Sequence, residues 1–121
     1  GYVPGGERYL FRVLAWLKRR GMKAVIDLHA FPGAQAANVS STGRRSSHAD
    51  FFRHRGNFDR GKEAIKKLAI LIAHFHNNRL TSNVIVGMEL INEPDWRYWG
   101  TSPGIRELFE DMIPEVRKIL P

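Results

Sequence analysis

The sequence predicts an α/β fold built on a parallel sheet. Helical apolar periodicity appears three times along the 121 residues, and two short apolar runs of strand character separate these stretches. The order is therefore helix, strand, helix, strand, helix, and alternation of this kind produces β-α-β units with parallel strands.

Leu10, Val13, Leu14 and Leu17 recur at helical spacing and predict the first helix. Lys18, Arg19 and Arg20 supply cations at its C-terminal end, where they complement the helix dipole, and Gly21 suits the residue just past the end. Lys23 to Leu28 predicts a short buried strand centred on Val25 and Ile26. From His29 to about Asp59 the chain is rich in Ser, Gly, Arg and His and has no clear period, apart from a helical turn expected at Ala49 to His54. A structureless stretch of this length is uncommon in a compact domain and is usually functional. The helical period returns from Arg60, through Ile65, Leu68, Ala69, Ile72 and Phe75, and Asn77 and Asn78 end it. Val84 to Ile91 predicts the second strand. Both strands are nearly continuous apolar runs, as expected for parallel strands covered on both faces. A polar and aromatic loop follows, Asn92 to Thr101, then Ser102 as expected N-cap and Pro103 as first helical residue. Ile105, Leu108, Met112, Val116 and Ile119 form the stripe of the last helix, which Pro114 is expected to kink or divide.

Two strands leave open edges, so the rest of the sheet is expected to come from elsewhere. The chain starts at Gly1 and ends at Pro121 directly after a helical pattern, which suggests a fragment. Residues 1–121 are accordingly read as a single, partial domain.

Bulk composition narrows the function classes. With 43% apolar and 26% charged residues the chain is neither disordered nor fibrous. The lack of cysteine excludes disulfides, thiol catalysis and cysteine-zinc sites. No apolar run approaches the roughly 20 residues of a membrane span. The net charge is 19 − 12 = +7, but the cations are spread over helix ends and solvated faces. Neither strand is followed by a Gly-x-Gly-x-x-Gly or Walker-type loop, so no nucleotide or nucleic-acid partner is expected. His48, His54, His74 and His76 match no ligand spacing, and no metal or cofactor is expected. Asn38-Val39-Ser40 is an N-glycosylation sequon in the long loop, which agrees with secretion.

Parallel α/β folds place their sites at the C-terminal ends of the strands. Here the strands end in Asp27-Leu28-His29 and in Glu89-Leu90-Ile91-Asn92-Glu93-Pro94. Strand alternation puts Asp27 with His29 on one face, and Glu89 with Ile91 and Glu93 on one face. Asp27 and Glu89 lie deeper than the tips and read as satisfied polar groups that brace the sheet, because buried carboxylates are costly unless paired. Phe31, Trp96, Tyr98 and Trp99 are candidates for stacking on the apolar face of a ligand at these tips.

Leu90-Ile91-Asn92-Glu93-Pro94, following the strand with Gly87-Met88-Glu89, resembles the Asn-Glu-Pro motif of clan A glycoside hydrolases, family 5 in particular. Ile26-Asp27-Leu28-His29 followed by Pro32-Gly33-Ala34-Gln35 and, further on, Thr42-Gly43-Arg44 resembles the third-strand segment of the fungal exo-β-1,3-glucanase branch. Tyr2-Val3-Pro4-Gly5 with Tyr9-Leu10 is similar to the segment before that branch's second helix, so the likeness runs along nearly the whole chain. The resemblance implies a fragment of a (β/α)8 TIM barrel, about strands 3 and 4 with their flanking helices. It implies Glu93 as catalytic acid/base, Asn92 as partner of the sugar 2-hydroxyl, and His29 in the subsite for the non-reducing sugar. Phe31, Trp96 and Trp99 complete the expected substrate-binding set. The expected partner is β-glucan or a related oligosaccharide, and the expected location is secreted or cell wall.

Retaining glycosidases need a second carboxylate about 5–5.5 Å from the first. In the family it is a seventh-strand glutamate, which falls beyond Pro121, and an arginine the family uses falls on strands that precede this segment. The segment is therefore expected to be inactive alone and to need the remainder of the barrel. Ala30-Phe31 in place of Gly-Ala, Ala34 in place of Ser and Ala36 in place of Asn bear on the substrate more than on the reaction. They also suit the alternative, a non-catalytic carbohydrate-binding or degenerate barrel protein.

Overall fold

The computed structural model describes residues 5–121; Tyr2, Val3 and Pro4 of the match before the first helix lie outside the described residues. In chain order the elements are α1 (Gly6–Arg19), β1 (Ala24–Asp27), a short α2 (Asp50–Arg53), α3 (Arg55–Asn77), β2 (Ile85–Glu89) and α4 (Ile105–Ile119). Single 3-10 turns sit in the two long loops, at Ser40–Thr42 and Trp96–Tyr98. No helix among the described residues is long and apolar enough to cross a membrane.

β1 and β2 pair in parallel, with Val25 opposite Gly87, Ile26 opposite Met88 and Asp27 opposite Glu89, and with an irregularity between Ala24 and Val25. The strand tips therefore stand side by side. Both strands are shorter than expected, and the sheet is not covered on both faces: Val25 is 62% and Val86 63% exposed. The inward residues Ala24, Ile26, Ile85 and Met88 pack on the helices.

Sequence and observed caps agree at the end of α1. Gly21 takes the left-handed conformation at φ 67. Its N–H donates to the Lys18 carbonyl at 3.1 Å, and the Met22 N–H to the Leu17 carbonyl at 3.0 Å. This is the Schellman closure that a glycine past a helix end permits. The start of α4 differs from expectation. Its N-cap is Gly104, two residues beyond Ser102. A Cβ at Gly104 would stand against the carbonyl oxygens of Tyr98 and Thr101, so only glycine fits where the loop folds onto the helix start. Nor does Pro114 divide α4, which runs unbroken to Ile119. Pro114 and Glu110, whose carbonyl loses its partner, are both exposed, so water can satisfy that carbonyl.

The long segment expected to lack regular structure does so over residues 29–49, apart from the turn at Ser40–Thr42, and the helical turn expected near its end is α2. α3 begins at Arg55, and Asp50 opens α2. Two apolar clusters hold the molecule together. One joins Leu14 of α1, Ile72 and Phe75 of α3, and Val84 and Ile85 at the start of β2. The other gathers Phe31, Phe51, Phe52, Phe58, Ile65, Ile91, Ile105, Leu108 and Met112 around the C-terminal ends of the strands. Each fully buried side chain of this size gains roughly 1.5–3 kcal/mol over an exposed one. The second cluster is the floor on which the strand-tip loops rest.

Candidate active site

The loops after β1 and β2 are joined by one side chain. Gln35 is fully buried. Its Nε2 donates to the His29 carbonyl at 3.0 Å and to the Asn92 carbonyl at 2.9 Å, and its Oε1 accepts the Phe31 N–H at 3.2 Å. The Gln35 main-chain carbonyl accepts the Asp95 N–H at 3.0 Å. Every hydrogen-bonding group of the amide side chain is used, which is the condition under which a buried polar group is tolerated. In the sequence Gln35 is only the last residue of Pro32-Gly33-Ala34-Gln35, with no role legible from its neighbours. The available signal was an amide following a Pro-Gly turn between two strand tips.

His29 and Glu93 are both exposed at this end of the sheet. Asp27 Oδ2 lies 2.7 Å from His29 Nδ1. A carboxylate only accepts, so Nδ1 carries the proton and Nε2 is left available on the other side of the ring. Asp27 is thus not a buried brace: it is exposed and holds the imidazole. Glu89 is exposed as well.

Glu93 has φ 41, a left-handed conformation that costs a non-glycine residue about 1–3 kcal/mol and persists only where its surroundings enforce it. The Gln35 bond to the preceding carbonyl is part of that enforcement. Ser41 Oγ, from the loop after β1, donates to Glu93 Oε2 at 3.5 Å. Asn92 Nδ2 is buried without a partner, the one such side-chain nitrogen or oxygen among the described residues. Strand alternation fails beyond Glu89. Ile91 turns into the core at 4% exposure instead of sharing a face with Glu89 and Glu93, because the chain bends at Leu90.

Of the aromatic candidates, Trp96 is 67% and Trp99 45% exposed, and their rings lie 5.3 Å apart. Tyr98 is half-buried and stacks on Phe52 at 5.0 Å and 17°. Phe31 is a correction. It is 1% exposed and its ring lies 4.9 Å from that of Phe51, so it is core and offers no face to a ligand.

Asp95 caps the turn that carries the tryptophans, its side chain accepting the Arg97 N–H at 3.1 Å. Its two oxygens also receive the Arg97 guanidinium as a fork, Nε to Oδ1 at 2.9 Å and Nη2 to Oδ2 at 2.6 Å. These bonds hold the Asp95 carboxyl below its ordinary range. Both oxygens are thereby engaged, which leaves Asp95 unsuited to act as a nucleophile.

No protein-family profile matches the chain, and no solved structure matches it. Curated proteins do. The chain is 28% identical over 120 residues to the probable glucan 1,3-beta-glucosidase A of Neosartorya fischeri, covering 99% of this chain and 27% of that protein. It is 33% identical over 93 residues to the glucan 1,3-beta-glucosidase of Yarrowia lipolytica, covering 77% of this chain and 20% of that one. It is 35% identical over 95 residues to the probable glucan endo-1,6-beta-glucosidase B of Aspergillus flavus, covering 77% and 23%. These relatives are named as glucan glycosidases. The chain spans about a quarter of their length or less, and the mixed helices with a two-stranded parallel sheet are compatible with a piece of a glycosidase barrel.

Proposed function

We propose that the chain is a segment of a retaining glycoside hydrolase of family 5 type, contributing strands 3 and 4 of a (β/α)8 barrel and the acid/base Glu93 for cleavage of β-glucan. The carrying observation is the junction of the two strand tips by Gln35, which sets Asn92 and Glu93 beside His29 at one end of the sheet. The likeness to glucan glycosidases over 99% of the chain supports the substrate class. A polymeric glucan does not pass a membrane, so the enzyme works secreted or at the cell wall.

In this reading Glu93 protonates the departing glycosidic oxygen and then takes a proton from the water that releases the sugar. Asn92 keeps an unspent amide donor beside it for the 2-hydroxyl. His29, oriented by Asp27, offers Nε2 to a sugar hydroxyl. Trp96 and Trp99 provide apolar faces at the rim. The nucleophilic carboxylate comes from the rest of the barrel, so residues 1–121 alone give no turnover.

The test is Glu93→Gln in the complete polypeptide that carries this segment. Turnover of laminarin-type glucan falls by about 10²–10⁴-fold, the usual worth of a positioned general acid, while glucan binding is retained. A dinitrophenyl glucoside, whose leaving group needs no proton, loses far less in its bond-cleavage step. Unchanged glucan turnover in Glu93→Gln overturns the assignment. The exposed Trp96–Trp99 pair also favours a second reading, a carbohydrate-binding protein without turnover. In that case the complete polypeptide binds glucan, releases no reducing sugar, and is unaffected by Glu93→Gln.

A further inference from the structure

We infer that Gln35 is the positioning residue of the acid/base carboxyl: its buried amide sets where Glu93 stands, and with it the efficiency of proton delivery. This inference rests on the glycosidase reading above. The amide orientation is fixed by its partners. The two groups facing Nε2 are carbonyls, which only accept, and the group facing Oε1 is an N–H, which only donates. The carbonyl of Asn92 belongs to the peptide plane that leads into Glu93. Gripping that oxygen fixes the plane, and the left-handed φ of 41 then aims the glutamate side chain. The second Nε2 bond references the plane to the His29 carbonyl, at the end of β1. The main-chain bond from the Asp95 N–H to the Gln35 carbonyl holds the far side of the same turn. Gln35 is itself fully buried, so it acts through the loops it joins and not by contact with a ligand.

A general acid displaced by about 1 Å loses on the order of 10²-fold in the step it serves. That loss is confined to substrates that need a proton on the leaving group, whereas a fold defect lowers every substrate equally by reducing the active fraction. The experiment therefore compares glucan oligosaccharides with dinitrophenyl glucoside in the complete polypeptide. The variants are Gln35→Met, which keeps the volume and removes the amide, and Gln35→Asn, which keeps the amide but shortens its reach. Binding-site titration corrects each rate for the folded fraction, and Asn is the milder change should Met fail to fold. Expected is a fall of about 10²-fold on the oligosaccharide with Met and a smaller one with Asn, against bond cleavage of the activated glucoside within about threefold of wild type. An equal fall on both substrates, or none on either, overturns the inference. Glu93→Gln run in parallel separates the two claims. If it lacks the same leaving-group dependence, the assignment of Glu93 is wrong and this inference falls with it; if it has that dependence and the Gln35 variants do not, only the role of Gln35 is wrong.

Discussion

Asp95 and Arg97 show how two neighbouring charges can shape the loop after β2. The fork between them fixes the turn that presents Trp96 and Trp99, and it lowers the affinity of Asp95 for its proton. A group whose folded pKa is depressed stabilises the fold above its unfolded pKa, and that contribution is lost as pH falls through the folded value. The contribution is therefore present at neutral pH and fades only below the ordinary aspartate range. In Arg97→Ala the Asp95 carboxyl titrates at higher pH than in the parent chain, which NMR of its carboxyl carbon reads directly, and acid unfolding begins at correspondingly higher pH. Phe31 teaches the opposite lesson at the same scale. In a sequence it looks like any aromatic next to a site. Only the packing of Phe51 and its neighbours assigns it to the core.

The three long helices and two strands were legible because each rests on periodicity that tertiary structure reinforces. Their ends were less so. The helical pattern of α3 is weakest at Arg55 to Arg60, where polar residues predominate, and the helix starts five residues before the sequence signal. Ser102 and Pro103 have the chemistry of a helix start, yet the loop folds so closely on itself that Gly104 becomes the cap. Periodicity carries no information about such backbone approach. A methyl group there meets two carbonyl oxygens, so Gly104→Ala destabilises the protein by about 2–4 kcal/mol through overpacking and loop displacement. Equilibrium denaturation checks the magnitude, and an unchanged midpoint would show that the loop has room to give. Of the site, the motif residues at the strand tips were readable, whereas the join between them was not: Gln35 and Asn92 are 57 positions apart, and no local rule pairs them.

For the molecule as a whole, the outer face of the sheet is the decisive feature. Val25 and Val86 are exposed on a sheet that, among the described residues, has two strands and leaves their outer edges free. Exposed strands of this kind template pairing with other chains. The isolated 121-residue chain therefore associates in a concentration-dependent manner, and Val25→Lys with Val86→Lys shifts it toward monomer. Sedimentation velocity over a range of concentrations reads both outcomes, and a monomer at every concentration rejects the expectation. The amide latch between the two loops has a further consequence for how such a protein changes over generations. On the proposed function, His29 on the first loop and Glu93 on the second are tied through one buried amide, so a mutation that reshapes the first also re-aims the second. On that reading, a new substrate preference is acquired in paired steps, the alteration in one loop and its correction in the other, instead of by free exchange of either loop alone.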